Sequence, residues 1–188
     1  ENPDAKHDIH ELKVELLGES MTFLTDAGVF SKKMIDYGSR VLLSALEFNK
    51  KETLLDVGCG YGTLGLTLAK AQGLEATLVD INQRALDLAR KNADANQVSA
   101  DIFQSNVYEQ VTGQFHHIIS NPPIRAGKQV VHEVISGSYD HLLADGDLTI
   151  VIQKKQGAPS AKAKMEEVFG NCETLKKDKG YYILRSVK

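Results

Sequence analysis

The 188-residue sequence is poor in the features that mark secreted, membrane-spanning and metal-binding proteins. It has two cysteines, Cys59 and Cys172. Two are too few for a disulfide framework, and their separation matches no zinc-ligand spacing. No apolar run is long enough to cross a bilayer. The start, ENPDAKHDIHEL, is polar and acidic, unlike a signal peptide. Internal repeats and low-complexity stretches are absent as well. These lacks lead to the expectation of a reduced, soluble, cytoplasmic protein that needs no metal. A hydrophobic share of 42% supports a real core. The length fits one domain, with residues 1–50 as an N-terminal hairpin and helix extension and 51–188 as its core.

A net charge of −3 offers a polyanion no overall attraction, but the distribution is uneven. Residues 1–120 hold 11 basic against 17 acidic side chains, a balance of −6. Residues 121–188 hold 11 against 8, a balance of +3. The basic excess fits either a nucleic-acid-facing side or a plain solvated surface.

The apolar periodicity changes along the chain. ELKVELLGESMTFLTDAGVF alternates around Gly18, Glu19 and Ser20, which predicts a hairpin. Ser31 is the predicted cap of a helix running to about Leu46, with Met34, Ile35, Leu42 and Leu43 on its apolar side. Strands are then predicted at 53–58, 75–80, 100–105, 114–120 and 146–153. Helices are predicted at 62–72, 82–96, 127–143 and 160–170, and a C-terminal hairpin turns at Asp178 to Gly180. Alternating strands and helices predict a Rossmann-like, doubly wound α/β fold. Its mostly parallel seven-stranded sheet has helices on both faces. Ligands of such sheets bind beyond the carboxyl ends of the strands.

Two motifs sit at those ends. The first is LLDVGCGYGTLGL, a strand running into Asp56, Gly58, Gly60 and Gly62 and then a helix. Glycines permit a tight turn and close ligand approach, and the helix start offers free N–H groups. Asp80 ends the next strand, where an acid can bind ribose hydroxyls. It can equally cap the following helix with Gln83. Gly60, Gly62 and Gly65 also satisfy a dinucleotide-binding pattern, so an NAD(P)-dependent oxidoreductase is an alternative. The second motif is IISNPPIRAGK. Two prolines terminate a strand, and Asn121 with the Pro122 carbonyl presents two hydrogen-bond acceptors there.

Together the motifs resemble the class I S-adenosylmethionine-dependent methyltransferases. DAGVFSKKMIDYGSRVLL, NPPIRAGK and VIQKKQGAPSAK are similar to the RsmC-like small-subunit ribosomal RNA guanine-N2 methyltransferases in single-domain form. The resemblance implies S-adenosyl-L-methionine as cofactor and an exocyclic amine as acceptor. Asn121 and Pro122 become the catalytic pair. Gly58 and Gly60 would face the methionine part of the cofactor, Asp80 the ribose, Ile81 the adenine face and Asn106 the adenine amine, with Asp56 and Val107 completing the set. Ile124 stands where many such enzymes carry an aromatic residue, so Phe30 is the candidate for stacking on the target base; a core role for Phe30 is its alternative. Pro123, Arg125 and Lys128 complete the substrate side, with Lys154 and Lys155 nearby. The implied partner is ribosomal RNA or the small subunit, bound by a monomer or a homodimer. Adenine N6, a protein glutamine amide and a non-catalytic RNA-binding role are the remaining alternatives.

Overall fold

A computed structural model describes residues 8–26, 35–123 and 127–188. A hairpin of β1 (Ile9–Leu16) and β2 (Glu19–Asp26) precedes α1 (Tyr37–Ala45). There follow β3 (Thr53–Val57), α2 (Thr63–Gln72), β4 (Glu75–Asp80), α3 (Gln83–Ala95), β5 (Ala100–Gln104) and β6 (Phe115–Ser120). The chain continues through α4 (Gly127–Ser138), β7 (Leu142–Gln153), α5 (Ala158–Phe169), β8 (Glu173–Asp178) and β9 (Tyr181–Val187). β3 to β9 form one sheet in the order β5-β4-β3-β6-β7-β9-β8. The first five strands run parallel, and β9 is antiparallel to both β7 and β8. This is the doubly wound architecture expected.

Strand alternation divides the core in two. Leu54 and Leu78 face one layer, with Leu42 of α1, Leu66 of α2 and Leu86 of α3. Leu55 and Val79 face the other, with Ile135 of α4 and Met165 of α5. The central strands, β3 above all, are buried on both faces, so they read as continuous apolar runs.

The β1–β2 hairpin stands outside the main sheet, and α3 covers the free edge of β2. Asn96 exchanges two hydrogen bonds with the backbone of Thr22 (2.9 and 2.7 Å), and Asn92 does the same with Leu24 (2.7 and 3.1 Å). Two amides one helical turn apart thus substitute for a partner strand. Asn92 also donates to the Tyr61 carbonyl at 2.8 Å, which ties the hairpin to the glycine loop.

Several boundaries differ from expectation. The hairpin turns at Leu17 and Gly18, both with positive φ (52° and 77°). That suits a two-residue turn. The helix expected from Ser31 begins only at Tyr37, and its cap is Asp36, whose carboxylate accepts from the Ser39 N–H at 3.0 Å; Ser31 and Met34 lie outside the described residues. α4 ends at Ser138, so Leu142 and Leu143 belong to β7. There the Tyr108 hydroxyl donates to the Val134 carbonyl at 2.6 Å. Its ring lies where a Cβ on Gly137 would sit.

Candidate active site at the carboxyl edge of the sheet

The sheet order places the switch point between β3 and β6: β4 lies on one side of that pair and β7 on the other. Both motifs leave the sheet there. After β3 the chain turns through Gly58 and Gly60, at φ 74° and 57°, a region that side chains disfavour. The N–H groups of Gly58 and Cys59 both donate to the Val79 carbonyl at 2.9 Å. Asp56 lies beneath the loop, 1% exposed, and accepts from the Gly65 N–H at 3.0 Å. Burial pushes its carboxyl up to about 7, against that hydrogen bond and helped by the charge of Asp80. Asp56 therefore supports the loop from behind.

Asp80 is more engaged than the sequence suggests. Its carboxylate accepts from the Gly60 N–H at 2.8 Å and from the Asn82 N–H at 2.9 Å. The cap of α3 is Asn82, which accepts from the Ala85 N–H. The Asp80–Gln83 cap does not form. Ile81 next to it is 62% exposed, an apolar face free for a ring. The Gln104 side chain fixes the Ile81 carbonyl at 2.9 Å. Asn106 and Val107 follow β5 on the same edge. Asn106 is exposed and donates to Glu109 at 3.4 Å. Val107 adopts φ 54°, held by the Ser105 hydroxyl on its carbonyl at 2.8 Å. Positive-φ glycines, a carboxylate and an open apolar face suit a nucleoside with a charged tail.

Asn121 and Pro122 follow β6. The Ser120 hydroxyl donates to the Val57 carbonyl at 2.7 Å, locking the two strand ends together. A Cβ on Gly58 would lie 4.0 Å from Pro123, and Gly58 and Asn121 line one cleft, so the glycine loop and the Asn-Pro-Pro turn lie side by side. Asn121 Nδ2 donates to Asp36 Oδ1 (3.1 Å) and to Ser39 Oγ (3.0 Å). Asn121 borders two hollows. A small cleft on one side is lined by Asp36, Ser39, Gly58, Cys59 and Tyr61. A pocket of about 210 Å³ on the other side is walled by Pro122, Lys128, His132, Gln153, Ser160 and Tyr181, among others. In that wall His132 Nε2 meets Ser160 Oγ at 3.0 Å, and Gln153 donates to the Tyr181 hydroxyl at 2.7 Å. Burial, with Lys128 and Lys164 nearby, lowers the His132 imidazole and favours its neutral form.

The structure therefore gathers Asp56, Gly58, Gly60, Asp80, Asn121, Pro122 and Pro123 at one junction, with Ile81, Asn106 and Val107 along the same edge. Lys128 lines the pocket, and Lys154 and Lys155 are exposed in the turn after β7. Phe30, Ile124 and Arg125 lie outside the described residues. Sequence reasoning missed Asp36, Ser39, His132, Gln153 and Tyr181. The signals available were the capping pattern of Asp36 and Ser39 and the two resemblance blocks, DAGVFSKKMIDYGSRVLL and VIQKKQGAPSAK, that hold Asp36, Ser39 and Gln153.

The model of the methyltransferase small domain matches residues 20–185. The chain belongs to that family. It is a class I, RsmC-like, S-adenosyl-L-methionine-dependent methyltransferase, which removes the oxidoreductase alternative. An uncharacterized protein of Bacillus subtilis, YbxB, is 45% identical over all of this chain and 96% of its own length. Ribosomal RNA small subunit methyltransferase C of Erwinia tasmaniensis is 38% identical over 92% of this chain and 51% of its own length. The T. thermophilus 16S rRNA N2 G1207 methyltransferase (RsmC), solved in complex with AdoMet and guanosine, superposes with a TM-score of 0.88. It is 28% identical over 99% of this chain and 52% of that one. This chain thus spans about half the length of the RsmC proteins it matches.

Proposed function

We propose that this methyltransferase transfers its methyl group to the exocyclic N2 of a guanine in small-subunit ribosomal RNA. One observation carries the reading. Asn121 and Pro122 stand between the glycine loop, with which Asn121 shares a small cleft, and a separate pocket of about 210 Å³. A methyl donor on one side and a base on the other would meet at that pair.

S-adenosylmethionine, when bound, supplies a methyl group on a sulfonium, an electrophile that needs no further activation. The chain has to orient a poor nucleophile, an aromatic amine whose lone pair is delocalised into its ring. Asn121 Oδ1 and the Pro122 carbonyl accept the two amine hydrogens and turn the nitrogen lone pair toward the methyl group. The prolines keep both acceptors rigid. The nitrogen forms the new bond as the carbon–sulfur bond breaks, and the surplus proton leaves the product for water. Gly58 and Gly60 hold the methionine part of the cofactor, Asp80 the ribose, and Ile81 with Asn106 and Val107 the adenine. Lys128, Lys154 and Lys155 hold phosphates. The protein acts in the cytoplasm as one catalytic unit, with residues 51–188 as its core.

The test incubates the protein with tritiated S-adenosylmethionine and small-subunit ribosomal RNA, free or assembled, and maps the product by mass. N2-methylguanosine is expected. N6-methyladenosine, or label found only in protein, would replace the acceptor while keeping the chemistry.

A further inference from the structure

The Asn121 amide has only one orientation that its neighbours accept. A carboxylate can only accept hydrogen bonds. Asp36 Oδ1, 3.1 Å away, must therefore face the amide nitrogen of Asn121. Ser39 Oγ donates to Asp36 Oδ2 at 2.9 Å, which leaves a Ser39 lone pair for the second Asn121 N–H at 3.0 Å. Donors and acceptors are fixed around the whole ring of contacts. Reversing the amide would set oxygen against carboxylate. With both N–H groups committed, Oδ1 points away from α1.

The backbone secures the same arrangement. Asp36 caps α1 through the Ser39 N–H, so its side chain is held at both oxygens. Gly38 lies between them. A Cβ there would sit 2.9 Å from the Tyr181 ring, so the helix start packs directly on the pocket wall. A charged acceptor also polarises the amide and strengthens Oδ1 as an acceptor in turn.

We propose that Asp36 and Ser39 are positioning residues for methyl transfer, which lock the Asn121 amide with Oδ1 presented to the acceptor amine. The proposal rests on the reading of Asn121 as the residue that receives that amine. Neither residue needs to touch substrate. Their effect passes through the orientation and polarity of one amide.

A charge swap separates this role from simple helix capping. In the wild-type background, Ser39→Ala and Asp36→Ala are expected to lower single-turnover kcat roughly 10- to 100-fold without a matching rise in KM for RNA. Asn121→Asp would place a second carboxylate against Asp36. In that background Asp36→Asn, which keeps a good cap, is expected to raise turnover roughly 10-fold or more. In the wild-type background the same change brings no gain. If Asp36 only capped α1, Asp36→Asn would leave turnover unchanged in both backgrounds, and that result overturns the proposal. A second readout needs no activity. The Asn121 side-chain N–H resonances of the free protein, identified by their loss in Asn121→Ala, are expected to be well dispersed and slow to exchange. They should collapse to solvent-like values in the Asp36→Ala, Ser39→Ala double variant. Unchanged resonances overturn the lock whatever the substrate proves to be, whereas a wild-type protein that methylates no RNA overturns only the reading of the acceptor.

Discussion

The two edges of the main sheet both carry polar groups but treat them in opposite ways. At the amino edge, His117 of β6 uses both ring nitrogens, toward Asp147 Oδ1 (2.6 Å) and Glu52 Oε1 (2.9 Å). Its ring stacks on Phe48 at 3.8 Å. Arg185 takes the other oxygen of Asp147 at 2.8 Å and reaches Glu173 at 3.2 Å. These contacts link Glu52, just before β3, with β6, β7, β9 and β8, and each is made within the protein itself. At the carboxyl edge the polar groups border open hollows instead. Asp80 holds two backbone N–H groups and Asn121 holds Asp36 and Ser39, while Ile81 stays bare. Asp56 Oδ1 is buried with no hydrogen-bond partner among the described residues. Polar groups that bond one another stabilise a fold, whereas groups fixed from behind beside an open hollow are what a binding site requires.

Asn121→Ala should separate the two edges most sharply. It removes a preorganised acceptor, so methyl transfer should fall on the order of 100-fold or more. Thermal stability and adenosylhomocysteine affinity should stay near wild type. Single-turnover methylation with saturating cofactor measures the first and calorimetry the second. Turnover at the wild-type rate would reduce Asn-Pro-Pro to a strand terminator.

Asp80→Ala tests the cofactor half of the same edge. It removes the contact expected to the ribose and also frees the Gly60 N–H. Together these should cost on the order of 1–3 kcal/mol, or roughly 5- to 150-fold in adenosylhomocysteine affinity by calorimetry. Unchanged affinity would remove Asp80 from the site and leave it as a loop support like Asp56.

His117→Ala asks the converse question at the amino edge. It leaves Asp147 and Glu52 short of a donor, so stability should fall by about 1–3 kcal/mol, with cofactor affinity untouched. Burial opposes the charge on His117, but the hydrogen bonds to Asp147 and Glu52 outweigh it and raise the imidazole above its ordinary 6.5. The folded protein then binds more protons than the unfolded chain above that value. The contribution is full below pH 6.5 and is lost as pH rises through the folded-state value. Glu52 is shifted the other way by its bond to His117. Its share is present above its ordinary 4.5 and lost as pH falls through its lowered value. Urea midpoints of wild type and His117→Ala should therefore differ most between about pH 5 and 6.5 and converge in alkali. A difference independent of pH would mean that His117 matters only as packing against Phe48.

The sequence made the core elements legible because each strand and helix carries its own period, and it made the site legible where one motif holds several groups. The glycine loop and Asn121-Pro122-Pro123 are of that kind. What escaped has long-range causes. Asp36 meets Asn121 across 85 positions, and the Asn92 and Asn96 amides reach β2 across 68 and 74. Leu142 and Leu143 continue the helical spacing of α4, and it is the pairing of Leu142 with Phe115 of β6, 27 positions away, that puts them in a strand. His117 offered no pattern at all, because its partners, Glu52 just before β3 and Asp147 of β7, lie 65 and 30 positions away.

The smallest expected effect tests whether the carboxyl edge extends into an electrostatic surface. Lys128 lines the pocket beyond Pro122, and Lys154 and Lys155 are exposed where β7 ends. The Lys154 N–H is anchored to the Gly180 carbonyl at 2.8 Å, which holds that turn against the β8–β9 hairpin. Cations placed this way can take backbone phosphates on either side of a base in the pocket. Such contacts release counterions and make binding salt-dependent. Replacing Lys128 and Lys154 by Ala should weaken RNA binding at low salt by a similar factor for any sequence. It should also flatten the plot of log affinity against log salt by about one unit per lost contact. Fluorescence anisotropy with a labelled ribosomal RNA fragment over a salt series measures both. The rate at saturating RNA should not change, because neither lysine is needed to orient the amine. If the slope stays at its wild-type value, the two lysines belong with the paired and solvated charges elsewhere on the protein, and the functional edge ends at Pro123.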